Sequence, residues 1–235
     1  MKLTVKDAAQ LLNVSEKTIY RWIKQGTIPV YRLNDQYRFN RVEILEWATS
    51  QRITLSPEIF LEQEGSQTPL PTLTDALVAG GLSYRVGGKD LATVLRSVVD
   101  VMKLPEEVDR EFLFQVLWTR EKMGSTGIGD GIAIPHVRNP IVLHVNKPSI
   151  TLCFLDNPID FGSIDGQLVS ILFVLVSPTI KAHLHLLSRL AYVLQNTDFK
   201  SVLKSQASRE EIMASLALAE TSIDSKVKPS EGPAG

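Results

Sequence analysis

The chain has 235 residues, 44% hydrophobic and 22% charged, with 25 lysines plus arginines against 26 acids. This ordinary globular mix argues against disorder, collagen or a coiled coil throughout, and the net charge of −1 gives no global sign of a polyanionic partner. The single cysteine, Cys153, excludes an internal disulfide and a four-thiolate zinc site.

A reducing cytoplasm fits that cysteine usage. Lys2 is followed by Thr4-Val5-Lys6-Asp7 rather than an apolar core, so no secretory leader is expected. The longest apolar stretch, Leu168 to Val176, is too short to cross a bilayer and reads as a buried strand. Membrane insertion is not expected. The length suits one large or two small domains, and the charge distribution favours two. Residues 1–53 hold nine basic and five acidic side chains, a local charge of +4. Residues 54–72 have three acids and no base, with Gly65, Pro69 and Pro71, and read as a linker. Residues 73–220 turn apolar and periodic. Residues 221–235, with Pro229, Gly232 and Pro233, read as a frayed tail.

In chain order, Val5 to Leu12 predicts a helix capped by Thr4, with Ala8, Leu11 and Leu12 on one buried stripe. Asn13-Val14-Ser15 is a tight turn, and Ser15 can cap a second helix, Glu16 to Gln25, ended by Gly26. That helix buries Ile19, Trp22 and Ile23 and leaves Lys17, Thr18, Arg21 and Lys24 in solvent. Tyr20 fits either core or surface. Two short helices across a three-residue turn form a helix-turn-helix, whose second helix can enter a DNA major groove. Ile28 to Leu33 and Tyr37 to Phe39, flanking Asn34-Asp35-Gln36, suit a hairpin wing that carries Arg32 and Arg38 toward phosphates. Arg41 to Arg52 suits a third helix with Val42, Leu45 and Trp47 in the core. A merely solvated basic face is the plain alternative for the whole region.

The run from Thr4 through Ala9, continued by Val14-Ser15-Glu16-Lys17-Thr18-Ile19-Tyr20-Arg21-Trp22 to Pro29, resembles the winged helix of the MerR and phage excisionase group. Arg38-Phe39 and Ile44-Leu45-Glu46-Trp47 extend the resemblance over nearly all of residues 1–50. It implies DNA contact through Ser15, Lys17, Thr18, Tyr20, Arg21 and Arg38. One small module rarely binds usefully alone, so homodimerisation or a partner is expected.

In the carboxy-terminal part, Asp90 to Met102 and Glu107 to Lys122 predict helices. Gly124 to Gly131 has four glycines in eight residues. Ile132-Ala133-Ile134 then runs as a strand into Pro135-His136. Ile150 to Leu155 and Leu168 to Val176 predict buried strands, Ile180 to Gln195 a leucine-rich helix, and Arg209 to Leu218 a last helix. Strands interspersed with helices point to an α/β layered domain, a mixed sheet flanked by helices.

The glycine-rich segment lacks the Gly-Lys-Ser/Thr of a P-loop, and a strand follows it where a dinucleotide fingerprint needs a helix. Its backbone amides can still converge on an anion. The histidines are His136, His144, His183 and His185. His183 and His185 lie about 200° apart around a helix, which disfavours a two-histidine metal clip. No metal and no cofactor is expected. Arg120-Glu121 reads from the residues alone as a helix-end ion pair of little value.

Thr119-Arg120-Glu121-Lys122-Met123-Gly124-Ser125-Thr126-Gly127-Ile128-Gly129-Asp130-Gly131-Ile132-Ala133-Ile134-Pro135-His136 resembles the active-site segment of the enzyme IIA domain of the bacterial phosphotransferase system, fructose/mannitol type, in its nitrogen-regulatory branch. Lys181-Ala182-His183-Leu184-His185-Leu186-Leu187-Ser188 resembles that family's second-histidine helix, and the likeness spans about 73–218. It implies that His136 accepts a phosphoryl group from a phosphocarrier protein of the HPr type, that His183 lines the same pocket and that Arg120 supports the site. Ser125, Thr126, Gly127, Gly129 and Asp130 form the candidate phosphate loop. The family often has an acid or Asn where Asp130 stands.

Neutral imidazole suits such a relay. It offers a nitrogen lone pair near neutral pH and can later serve as a leaving group. His183, Arg120 and loop amides from Gly127 to Gly131 would steady the transferred oxygens. Val137 departs from the family, which has glycine after the histidine, and a valine that resists positive φ predicts a differently shaped loop. His144 and His185 have no assigned role.

The reading is a cytoplasmic regulator in which a histidine-phosphorylated domain is coupled to DNA binding, a phosphoryl carrier more than a turnover enzyme. Its alternatives are a phosphocarrier whose first domain binds protein, and a transcription factor whose second domain senses without transferring.

Overall fold

The computed structural model describes residues 2–33, 36–51, 53, 70–137 and 145–227. Most of the predicted linker, and His144, lie outside the described residues. The chain divides into two compact units, Met1–Pro69 with Leu218–Gly235, and Leu70–Ala217.

The first unit opens with β1 (Lys2–Leu3) and α1 (Val5–Leu11). A capping box starts α1: the Thr4 hydroxyl accepts from the Asp7 amide at 3.2 Å, and the Asp7 carboxylate accepts from the Thr4 amide at 2.8 Å. Helix α2 (Glu16–Gln25) starts on Ser15, whose Oγ accepts from the Thr18 amide at 3.2 Å, and ends on left-handed Gly26. Strands β2 (Tyr31–Leu33) and β3 (Gln36–Asn40) pair antiparallel, and β1 joins the outer side of β3. Helix α3 spans Arg41–Ser50. The core joins Ala8, Leu11, Leu12, Ile19, Ile28 and Phe39 to Ile44, Leu45 and Ala48 of α3. The expected third-helix core is corrected in part. Ile44 and Ala48 supply it with Leu45, while Trp47 is half-buried with its ring edge-on to the half-buried Trp22 at 5.1 Å. Ile23 is likewise only half-buried. The side chain of Val42 lies outside the described residues.

The second unit contains α4 (Leu73–Gly80), β4 (Leu82–Val86), α5 (Leu91–Val101), α6 (Arg110–Lys122), β5 (Gly127–Gly129), β6 (Ile132–Ala133), β7 (Ser149–Ile159), β8 (Val169–Val176), α7 (Ile180–Val193) and α8 (Thr197–Lys204). Helix α9 (Arg209–Val227) follows. The strands form one mixed sheet in the order β4-β7-β8-β6-β5. Strand β4 runs parallel to β7 and β6 parallel to β8, while β7 with β8 and β5 with β6 are antiparallel.

The central strands are buried on both faces, which explains their near-continuous apolar runs. Alternation sorts those runs. Cys153, Leu155, Leu172, Val174 and Val176 share a core cluster with Val94, Leu95 and Val98 of α5 and Leu113 and Leu117 of α6. Phe154, Ile171, Phe173 and Leu175 take the opposite face, and α7 packs against β8 and α4.

Helix α9 keeps one buried stripe, Ile212, Leu216, Ala219 and Ile223, beyond Leu218, where a stop was expected. It continues to Val227, so the part of the expected tail up to that residue is helix. Among the described residues no helix is long and apolar enough to cross a membrane.

Candidate functional site

The glycine-rich segment is a β-hairpin. Gly129 pairs with Ile132, leaving Asp130-Gly131 as a two-residue turn with φ of 56° and 77°. A turn with positive φ at both central residues favours Asp-Gly, and it matches the twist of the two strands. Gly127 is needed for a different reason. A Cβ there would lie 2.2 Å from Ser163 Oγ, because the 161–163 segment crosses directly over the strand.

Within the hairpin, two of the loop amides expected to converge on an anion, those of Gly127 and Asp130, donate to side chains, as does the Thr126 amide ahead of them. The Thr126 amide donates to Glu121 Oε1 at 2.7 Å, the Gly127 amide to Ser125 Oγ at 2.9 Å, and the Asp130 amide to Asp165 Oδ2 at 2.9 Å. These donors are engaged by side chains because the glycines serve strand pairing and close approach. Ser125 Oγ donates onward to the Phe161 carbonyl. The Asp130 carboxylate meets Lys200 Nζ of α8 at 3.0 Å, both half-buried.

Helix α6 delivers Arg120 and Glu121 to the start of the hairpin. Arg120 Nη1 donates to the Gly124 carbonyl at 2.8 Å. Glu121 is 6% exposed, and its two oxygens take the Thr126 amide and, at 2.5 Å, the Thr126 hydroxyl. Arg120 reaches this carboxylate as a nearby charge, and Glu121 forms a buried clamp on Thr126 in addition. Burial pushes the Glu121 carboxyl above the usual range, opposed by the Thr126 bonds and by the charges of Arg120 and His136.

Beyond β6 the chain stays extended, and His136 bridges to Leu175 of β8. Alternation places His136 on the face that carries α7 and Val137 on the face of α5 and α6, where Val137 is fully buried in the core cluster. Val137 is not among the left-handed non-glycine residues, which are Asn13, Arg85, Asp130 and Gln206. The residue after His136 thus sits just past the bridge to Leu175 as a buried core position, where a β-branched side chain packs well.

The His136 ring is 4% exposed and lies 5.3 Å, centroid to centroid, from the fully buried ring of His183. His136 Nδ1 is 2.7 Å from the Ile134 carbonyl. A carbonyl only accepts, so Nδ1 carries the proton and Nε2 of the neutral ring holds the lone pair. His183 sits in the first turn of α7, capped by the Thr179 hydroxyl. His185 is buried on the same helix.

Arg120, His136, His183, Ser125 and Thr126 thus gather at one end of the sheet. Glu121 and Ser163 also build this end, whereas Asp165 and Lys200 meet Asp130 at the turn, at the other end of β6 from His136; none of the four is a site residue in the sequence reading. Glu121 stood in the motif, but its burial was not visible there. The other three come from distant segments with no local signal. Among the described residues no group of three or more His, Cys, Asp or Glu is placed to hold a metal ion. Cys153 is fully buried in β7, its thiol pushed up to about 12 by burial, so it offers no nucleophile near neutral pH.

In the first unit, Lys17, Tyr20, Arg21 and Lys24 are exposed at helical spacing along α2 and form one stripe. Tyr20 is 50% exposed, its ring edge-on to Tyr37 of β3 at 6.2 Å, which decides its placement as surface. Ser15 and Thr18 are tied into the α2 cap, with their hydroxyls 3.0 Å apart. Arg38 is half-buried and turned onto its own hairpin, donating to the Tyr37 carbonyl at 2.9 Å and to Gln36.

Residues 84–218 match the family described as phosphoenolpyruvate-dependent sugar phosphotransferase system, EIIA 2, and residues 3–52 match a helix-turn-helix domain family. The chain is 37% identical over 142 residues to the nitrogen regulatory protein of Pseudomonas aeruginosa, covering 59% of this chain and 90% of that one. The nitrogen regulatory protein of Bradyrhizobium diazoefficiens is 39% identical over 108 residues, covering 45% and 69%. Among solved structures, nitrogen regulatory protein IIA-Ntr from Neisseria meningitidis aligns with a TM-score of 0.51 and 28% identity over 57% of this chain and 92% of that one. The chain therefore belongs to the EIIA 2 family of the phosphoenolpyruvate-dependent sugar phosphotransferase system, with a helix-turn-helix domain ahead of the family domain.

Proposed function

We propose that this protein carries a phosphoryl group on His136 Nε2, received from a phosphocarrier of the HPr type, and that this state alters DNA binding by residues 1–53 in the cytoplasm. The observation that carries the reading is the His136 ring held through Nδ1 by the Ile134 carbonyl, 5.3 Å from His183. That tautomer leaves the lone pair on Nε2 for in-line attack on phosphorus. The phosphocarrier's nitrogen leaves as the new N–P bond forms, and the phosphoryl group keeps its oxygens throughout. Arg120 and His183 supply cationic and donor groups for those oxygens. The transferred group adds nearly two negative charges, which is sufficient to remodel a partly closed site.

The test is incubation of the full chain with labelled phosphoenolpyruvate, the first enzyme of the system and the phosphocarrier. Acid-labile label that disappears in His136→Ala is the expected result, and its absence from the wild-type chain sinks the transfer reading.

A second reading, a DNA-binding regulator whose second domain senses without transferring, draws on the 4% exposure of the His136 ring. It expects no label and unchanged DNA binding by His136→Ala.

A further inference from the structure

Glu121 lies outside the set of groups that would touch a phosphoryl group, yet it is among the most buried charged residues of the second unit. A buried carboxylate is costly unless its oxygens are satisfied. Both Glu121 oxygens are spent on Thr126, one on its amide and one on its hydroxyl. That holds Thr126 at two points. The Thr126 carbonyl then accepts from the Ile134 amide at 3.0 Å across the β5–β6 pairing. The Ile134 carbonyl is the acceptor for His136 Nδ1 at 2.7 Å. One continuous series of hydrogen bonds thus runs from the α6 carboxylate through two strand residues to the imidazole.

The linkage is mechanical. The amide and carbonyl of one residue belong to different peptide groups, so polarisation does not pass straight through Thr126 or Ile134. What passes is orientation, because each residue fixed at its amide has its carbonyl aimed in turn. We propose that Glu121 is a positioning residue for His136: by clamping Thr126 it aims the Ile134 carbonyl at Nδ1, which fixes the ring tautomer and presents Nε2. The proposal deepens the phosphoryl-transfer reading and rests on it for its kinetic consequence, though not for the tautomer itself.

The experiment uses the full chain with ¹⁵N-labelled histidine, the His136 signals being assigned by their loss in His136→Ala. The wild type is expected to show the Nδ1–H form. Glu121→Gln keeps an acceptor for the Thr126 amide and reverses the bond to the hydroxyl, so it retains the tautomer and transfers phosphate within about 3-fold of wild type. Glu121→Leu removes both acceptors. It is expected to raise the Nε2–H form and slow transfer about 10-fold at saturating phosphocarrier, with half-saturation unchanged, as losses of orienting partners do elsewhere.

A merely structural role lowers the melting temperature of Glu121→Leu but leaves the tautomer and the transfer rate of the folded protein as in wild type; that result overturns the proposal. Should Glu121→Leu not fold, Thr126→Val is read instead. It loses one of the two bonds and is expected to move both readouts in the same direction by a smaller factor, and no movement overturns the proposal. If the wild type takes no label at all, the transfer reading fails by itself, and the tautomer measurement still decides whether Glu121 sets the ring.

Discussion

Asp7 and Glu121 are carboxylates whose titration is displaced in opposite directions, and the cause lies in what surrounds each. Asp7 is exposed and receives the Thr4 amide and hydroxyl, which hold its carboxyl below an unfolded aspartate's 3.8. Its contribution is therefore present above 3.8 and is lost as pH falls through the lower folded value. Asp7→Asn should cost about 0.5–1 kcal/mol at neutral pH, solvent screening keeping it near the low end. Urea titrations of the two proteins should converge in acid. Glu121 is raised, chiefly by burial, so the fold favours its protonated form. Its contribution is intact below an unfolded glutamate's 4.5 and is lost as pH climbs through the raised folded value. The melting temperature of Glu121→Gln, measured against wild type, should therefore gain on it as pH rises from 4.5 to neutrality.

At the scale of elements, the β5–β6 hairpin shows how one glycine-rich composition supports two local readings. Four glycines in eight residues suggested an anion cradle, yet Asp130-Gly131 between Ile128-Gly129 and Ile132-Ala133 is also a hairpin signature. Short strands carry too few residues for periodicity to outweigh glycine content. Gly127→Ala tests the close crossing. The added methyl would overlap Ser163, so we expect a loss of about 1–3 kcal/mol, read by urea unfolding. Helices α4 and α8 and strand β4 escaped the sequence reading for a related reason, since each spans only one or two turns or a few alternations. In α2 the caps and the basic stripe were legible: Ser15 caps, Gly26 stops, and the basic stripe lies opposite Ile19, while Trp22 and Ile23, expected in the core, are only half-buried. Arg21→Ala should weaken DNA binding and lower the salt dependence of binding by about one counterion, measured by titration at several salt concentrations.

At the scale of the whole molecule, the family domain and the helix-turn-helix domain each have their own core, and the proposed regulation requires the state of one to be sensed by the other. A mobility-shift assay on the full chain, before and after the phosphorelay, measures that coupling. We expect a change of about 5-fold or more in DNA affinity, the lower range of ordinary coupling between sites, and none in His136→Ala. An equal affinity in both states would leave a carrier and a DNA-binding module without regulation between them.

The order of residues alone determined the two-domain organisation, the two families, the caps of α1 and α2, and the dipeptides and histidines that assemble the site. Those features are local: they depend on spacing along a helix or on a contiguous motif. Tertiary structure decided that Glu121 clamps Thr126, that Val137 is core, that Tyr20 faces out, and that Lys200 and Asp165 meet the hairpin turn. Burial and the pairing of distant segments set those outcomes, and neither is written in the neighbours of a residue along the chain.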